Sequence, residues 1–181
     1  MTLTVLRPIR IVLCLALWLA PGWGATLELL SINDLITKSS AIIRGQVTGV
    51  TASYTGPAIY THYQVSVTQQ WKGAAQTSFD VLVPGGTAKG NRQVVPGAPQ
   101  LRVGQQYVLF LWTSSTGLVY TLGFTQGVFN LLQDSSGNLT ASQMLTTETV
   151  LAPVTGQVAT SRPISMPLAQ LISLIASGGG A

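Results

Sequence analysis

Residues 59–71 (IYTHYQVSVTQQW) alternate with a period of two, and no other feature of the sequence restricts the fold as tightly. Thr61, Tyr63, Val65 and Val67 fall on one side, and Tyr60, His62, Gln64, Ser66 and Thr68 on the other. A helix would scatter these residues around its axis, whereas a strand sends them to opposite faces of a sheet. Thirteen residues is more than double the mean strand length of about 5–6, and a strand that long bends around a corner of a small barrel. The chain is therefore expected to be mainly β.

The flanking segments fit that frame. Ser31–Ser40 (SINDLITKSS) reads as a short amphipathic helix, with a capping serine, Asp34 in the first turn, Lys38 near the end and Ile32, Leu35 and Ile36 on one face. Ala41–Thr51 reads as a strand that Gly45 and Gly49 bend or bulge. Lys72-Gly73 turns the chain into a short strand, Phe79–Val83. Pro84–Pro99 is the longest loop expected, rich in Gly and Pro. Gln106–Thr113 holds the continuous apolar run Tyr107–Trp112, the signature of a strand buried on both faces. Leu118–Phe124, Gly127–Gln133 and Asn138–Gln143 follow as strands, the last two joined by hairpin-turn residues Asp134–Asn138. Pro167–Ala176 reads as a final helix with proline in its first turn, and Ser177–Ala181 as a disordered tail.

Residues 1–24 are of another kind. Arg7 and Arg10 form a basic start, Ile11–Ala20 is an apolar run of ten, and Gly22 and Gly24 supply small residues for cleavage. This is the pattern of a secretory signal peptide, and the run is too short to span a bilayer, which takes about 20 apolar residues. The alternative is an uncleaved N-terminal anchor. Cys14 follows Leu13, which excludes a lipoprotein site. The expected organisation is a signal peptide over 1–24, a single β-rich domain over 25–176 and a tail over 177–181. The product is exported, to a periplasm or out of the cell, with no transmembrane anchor after cleavage.

Composition then excludes several functions. The full chain carries +4, but past residue 24 seven basic residues face five acids, leaving +2. Those seven are scattered, with only Lys89 and Arg92 near each other, whereas a nucleic-acid footprint needs a cluster. The one cysteine lies in the leader, so the remainder forms no disulfide, and the one histidine, His62, cannot build a zinc site alone. No cofactor or metal is expected.

Taken in order, Asp34-Leu35-Ile36, Ser39–Gly45 (SSAIIRG), Trp71-Lys72-Gly73, Pro84-Gly85-Gly86 and Tyr107–Leu111 (YVLFL) resemble a family of uncharacterised exported bacterial proteins, over most of the chain past the leader. The arrangement also resembles the OB-type barrel of netrin-like and metalloproteinase-inhibitor domains. That resemblance implies a small Greek-key, OB-like barrel with a short N-terminal helix and a C-terminal helix. It implies no zinc chelation, because those inhibitors use an N-terminal cysteine and the cleaved chain would start near Ala25. Fold alone does not fix function.

Catalytic signals are sparse. There is no Gly-x-Ser-x-Gly elbow, and His62 reads as a solvent-facing residue of a sheet rather than a general base. Of the carboxylates, Asp34 is explained by a helix start and Asp134 by a turn, leaving Glu28, Asp80 and Glu148 unassigned. Tyr54, Tyr60, His62 and Trp71 are candidates for an aromatic platform. The alternative places Trp71 and Tyr63 in the core, Tyr54 and Tyr60 fit either reading equally, and Trp112 reads as core from its apolar neighbours. The leading reading is a non-enzymatic exported binding module that contacts its ligand through Tyr54, Tyr60, His62, Lys89 and Arg92. Its partner is an envelope or extracellular protein or a polysaccharide. The alternative is a periplasmic or extracellular hydrolase of cell-wall or polysaccharide substrates.

Overall fold

A computed structural model describes residues 27–145, 150–151, 156–159 and 162–178. Residues 1–26, which hold the expected signal peptide and cleavage site, Glu148 and the last three residues of the expected tail lie outside the described residues.

The chain is mainly β. Strand β1 (Leu27–Glu28) precedes helix α1 (Ile32–Lys38), which starts with a reciprocal cap. The Asp34 amide donates to Ser31 Oγ at 3.1 Å, and the Ser31 amide donates to Asp34 Oδ2 at 3.0 Å. Strands β2 (Ala41–Thr55) and β3 (Ala58–Lys72) then form one long hairpin about the two-residue turn Gly56-Pro57. Each strand runs fifteen residues, so β2 extends four residues past its expected end. The expected bulging of β2 is present, with register shifts at Ile42/Ile43, Arg44/Gly45 and Val47/Gly49. Gly45 is where the chains crowd most: a Cβ there would stand 2.5 Å from Val65 Cγ1 and 2.9 Å from the Ser66 carbonyl oxygen.

Strand β4 (Ser78–Pro84) pairs with β3, and β7 (Gln106–Thr113) pairs with the other edge of β2. Strand β8 (Val119–Thr121) pairs in parallel with β4 and antiparallel with β7. The pairings through β7, β2, β3, β4 and β8 thus return to β7. A 3₁₀ turn, Phe124–Gly127, leads from β8 into β9 (Val128–Gln133), which pairs with β7 and with β10 (Leu139–Gln143). Strands β11 (Val150–Leu151) and β12 (Val158–Ala159) extend from β1, β13 (Ser165–Pro167) pairs with β10, and α2 (Leu168–Ala176) follows.

Two expectations are corrected here. Pro84–Pro99 is not wholly a loop, because it contains a small hairpin of β5 (Gly86–Ala88) and β6 (Asn91–Gln93). Its turn, Lys89-Gly90, has φ of 49° and 79°, the positive pair a tight hairpin requires. Lysine stands where asparagine or aspartate would have signalled that turn. The strand expected over Leu118–Phe124 stops at Thr121, because Phe124 adopts φ 58° and opens the 3₁₀ turn.

Two layers of core flank the sheet. On the inner side Ile43, Val47, Tyr63, Val65, Val81, Leu109 and Leu111 pack together. On the outer side Ile42, Val108, Phe110 and Phe129 lie under Leu35 and Ile36 of α1 and Leu168, Leu171 and Ile175 of α2. Strand β7 is therefore buried on both faces from Tyr107 to Leu111, as its continuous apolar run implies. The Trp71-Lys72-Gly73 segment locks α1 to this layer. Lys72 Nζ donates to the carbonyl oxygens of Ile36 at 2.6 Å and Thr37 at 3.0 Å, at the negative end of the helix.

Candidate functional site

The helices cover only part of the outer face. Val108, Phe110 and Trp112 alternate outward along β7, and the first two are sealed beneath the helices. Trp112 stands beyond them and is 46% exposed. This corrects its expected place in the core: the apolar run ends on a residue that shares the buried face but outruns its cover.

From Trp112 a row of side chains crosses the sheet. Trp112 is opposite Tyr120 on β8, Tyr120 is beside Leu82 on β4, Leu82 is opposite His62 on β3, and His62 is opposite Thr51 on β2. Directly paired residues share a face, so this is one continuous surface. The rings of Trp112 and Tyr120 lie 5.9 Å apart, and Tyr60 meets Tyr120 edge-on at 6.0 Å. These three with Leu27, Leu82, Pro84 and Phe124 line an apolar groove of 340 Å³. Burial first, and then the neighbouring Tyr60, hold the Tyr120 phenol above its ordinary pKa. Phe124 holds its left-handed backbone at the groove wall, a conformation rare for a residue with a side chain.

Next to the groove, three polar side chains meet. His62 Nδ1 lies 2.9 Å from Asp80 Oδ2, and His62 Nε2 lies 2.9 Å from Ser53 Oγ. They come from three adjacent strands: Ser53 from β2, His62 from β3 and Asp80 from β4. Each contact is diagonal, since Ser53 pairs with Tyr60 and Asp80 with Gln64. His62 is mostly covered, its side chain 18% exposed, while Asp80 is 44% exposed. With Asp80 accepting from Nδ1–H, Nε2 carries the free lone pair and accepts from the serine hydroxyl.

The other expected contacts lie elsewhere. Tyr54, 39% exposed, is near the tip of the long hairpin, where its hydroxyl accepts from Asn91 Nδ2 at 2.8 Å and Lys89 Nζ sits 6.0 Å from its ring centre. This contact ties the long hairpin to the β5–β6 hairpin. Arg92 instead lines a polar cavity of 410 Å³, with Thr61, Gln93 and Gln100. The five expected residues thus fall in three places: Tyr60 in the groove, His62 beside it, and Tyr54, Lys89 and Arg92 around the small hairpin. Trp71 packs against the helix layer and takes no part in an aromatic platform, whereas Tyr63 is core. The aromatic residues that do join Tyr60 are Trp112 and Tyr120.

Among the described residues no group of three or more His, Cys, Asp or Glu side chains converges as metal ligands, and no helix is long and apolar enough to cross a membrane. No protein-family model matches this chain, nor does any curated protein.

Proposed function

We propose that this chain is an exported binding module on an OB-like Greek-key barrel, with the Trp112–Tyr120–Tyr60 groove as its contact surface. The observation that carries the reading is the aromatic row left uncovered by the helix layer. Large apolar side chains are normally buried, and exposed Trp112 with half-buried Tyr60 and Tyr120 around an open groove beside polar groups fits a binding site. Rigid aromatics supply contact area at low entropic cost, and here the sheet fixes their spacing.

The barrel reading is supported by the circuit of pairings through β7, β2, β3, β4 and β8 and by the single parallel pair β4–β8 within it. It also fits the bulged, fifteen-residue β2 and β3. Export, and kinship with the family of exported bacterial proteins, rest on the Met1–Gly24 pattern and the motifs from Asp34 to Leu111. The partner is an envelope or extracellular protein or polysaccharide that offers a flat apolar group to the groove. A hydrolase built on a carboxylate pair fits less well, because Asp80 is engaged by His62.

Capture of partners from host envelope and culture medium tests this reading. A ligand retained by the wild type and by Lys89→Ser/Arg92→Ser, but lost by Trp112→Ala/Tyr120→Ala, supports the groove. Loss in the Lys89/Arg92 variant alone moves the site to the small hairpin.

A further inference from the structure

We propose that Ser53, His62 and Asp80 form an acyl-transfer triad that hydrolyses aryl esters seated in the aromatic groove. The inference rests on the groove as the binding surface and adds a reaction to it.

The geometry supplies the nucleophile–base and base–orienter contacts of an activated nucleophile. A serine hydroxyl sits 2.9 Å from one imidazole nitrogen, and a carboxylate sits 2.9 Å from the other. All three are held by paired strands of one sheet, so their spacing is set by register and not by a loop. A hydrogen-bonded trio that only tied strands together would need no apolar site beside it. Here Tyr60, directly opposite Ser53, and Leu82, directly opposite His62, are both walls of the groove. A substrate ring lying against Tyr60, the groove wall directly opposite Ser53, would therefore present its ester bond toward Ser53.

The chemistry balances with water as the second reactant. Ser53 Oγ attacks the ester carbonyl carbon, forming the C–O bond as its proton passes to His62 Nε2. Asp80, a positioning residue, keeps the proton on Nδ1 and stabilises the imidazolium. The tetrahedral intermediate collapses, the bond to the aryl oxygen breaks, and the phenol leaves with the proton from Nε2. Water then attacks the acyl-serine, delivering its proton to His62. Collapse releases the carboxylic acid, and Ser53 regains its proton. Aryl esters are the expected class for two reasons: their ring suits the groove, and a phenolate departs with less assistance than an alkoxide.

The test uses the full-length chain with two probes, a fluorophosphonate and phenyl butyrate. The expected results are one phosphonyl group per chain, located on Ser53, and saturable release of phenol. Ser53→Ala should abolish the label, and Ser53→Ala and His62→Ala should each lower kcat/KM roughly 100- to 10,000-fold. Both sites are on the outer sheet face, so thermal unfolding should confirm that the variants fold. Asp80→Asn should lower kcat and shift its pH profile, which loss of a purely structural contact would not do. Trp112→Ala should raise KM while leaving Ser53 labelled. No label on Ser53 together with no phenol release above buffer overturns the triad, and leaves the groove to be judged by binding alone. Label on Ser53 with hydrolysis indifferent to Trp112→Ala supports the triad and overturns the groove as its substrate site.

Discussion

Trp112 and Tyr120 stand directly opposite one another on β7 and β8, their ring centroids 5.9 Å apart and their planes inclined by 33°. The pair extends the apolar face of β7 beyond the helices that cover Phe110, and so turns the end of a core strand into a surface. A pair of this kind contributes about 0.5–1.5 kcal/mol beyond its buried area.

Trp112→Ala should therefore cost about 2 kcal/mol of folding stability, the pair contribution together with the burial of a half-covered indole. Phe110→Ala, two residues back on the same face and wholly buried, should cost roughly 3–5 kcal/mol. Urea denaturation of the two variants checks the contrast. Equal losses would mean that Trp112 is sealed in the core.

Lys72→Met should destabilise the fold by about 1.5–3 kcal/mol, the range for a hydrogen bond to a charged group. It removes the ammonium that caps the Ile36 and Thr37 carbonyls and keeps most of the aliphatic stem. Hydrogen exchange should show the amides of α1 losing protection first.

Gly45→Ala should destabilise by more than about 2 kcal/mol, since its methyl would strike both a packed side chain and a backbone oxygen on β3. Gly49→Ala is the control. Its methyl would meet Gln64 Cβ at 3.8 Å, ordinary contact, so that variant should stay within about 0.5 kcal/mol of wild type. Paired thermal melts read the difference.

Acid should weaken the start of α1. Hydrogen bonds from the Ser31 hydroxyl and amide, aided by Lys38, hold the Asp34 carboxyl below its ordinary pKa of 3.8. A pKa lowered on folding means that the unfolded chain binds the proton more readily. The stabilisation is thus complete above the ordinary value and is lost as pH falls through the folded one. Asp34→Ala should be less stable than wild type at pH 7, by about 1 kcal/mol as for other caps. The gap should start to narrow below about pH 4 and go on shrinking as pH falls further. A gap that persisted unchanged to pH 2 would contradict the assignment.

The fold was legible where local chemistry decides it. The alternation over 59–71, the Ser31–Asp34 cap and the apolar run of β7 each required a particular element, and those elements formed. The site was less legible because it depends on register. Ser53 reaches His62 because the Gly56-Pro57 turn sets it opposite Tyr60 with no register shift between, and a strand read as ending at Thr51 leaves Ser53 outside the pairing. Asp80 meets the same histidine along a diagonal from the opposite strand. Trp112 was misplaced for a related reason: the sequence shows an apolar run but not where the helices covering it end.

The most direct test of the groove follows the assigned indole N–H signals of Trp112 and Trp71 in the full-length chain during titration with p-cresol, a fragment carrying one flat ring. The account predicts a saturable shift of the Trp112 signal, with Tyr60 and Tyr120 amides moving alongside it and Trp71 unmoved beneath the helix layer. A Trp112 signal that stays fixed while Lys89 and Arg92 amides shift would contradict it.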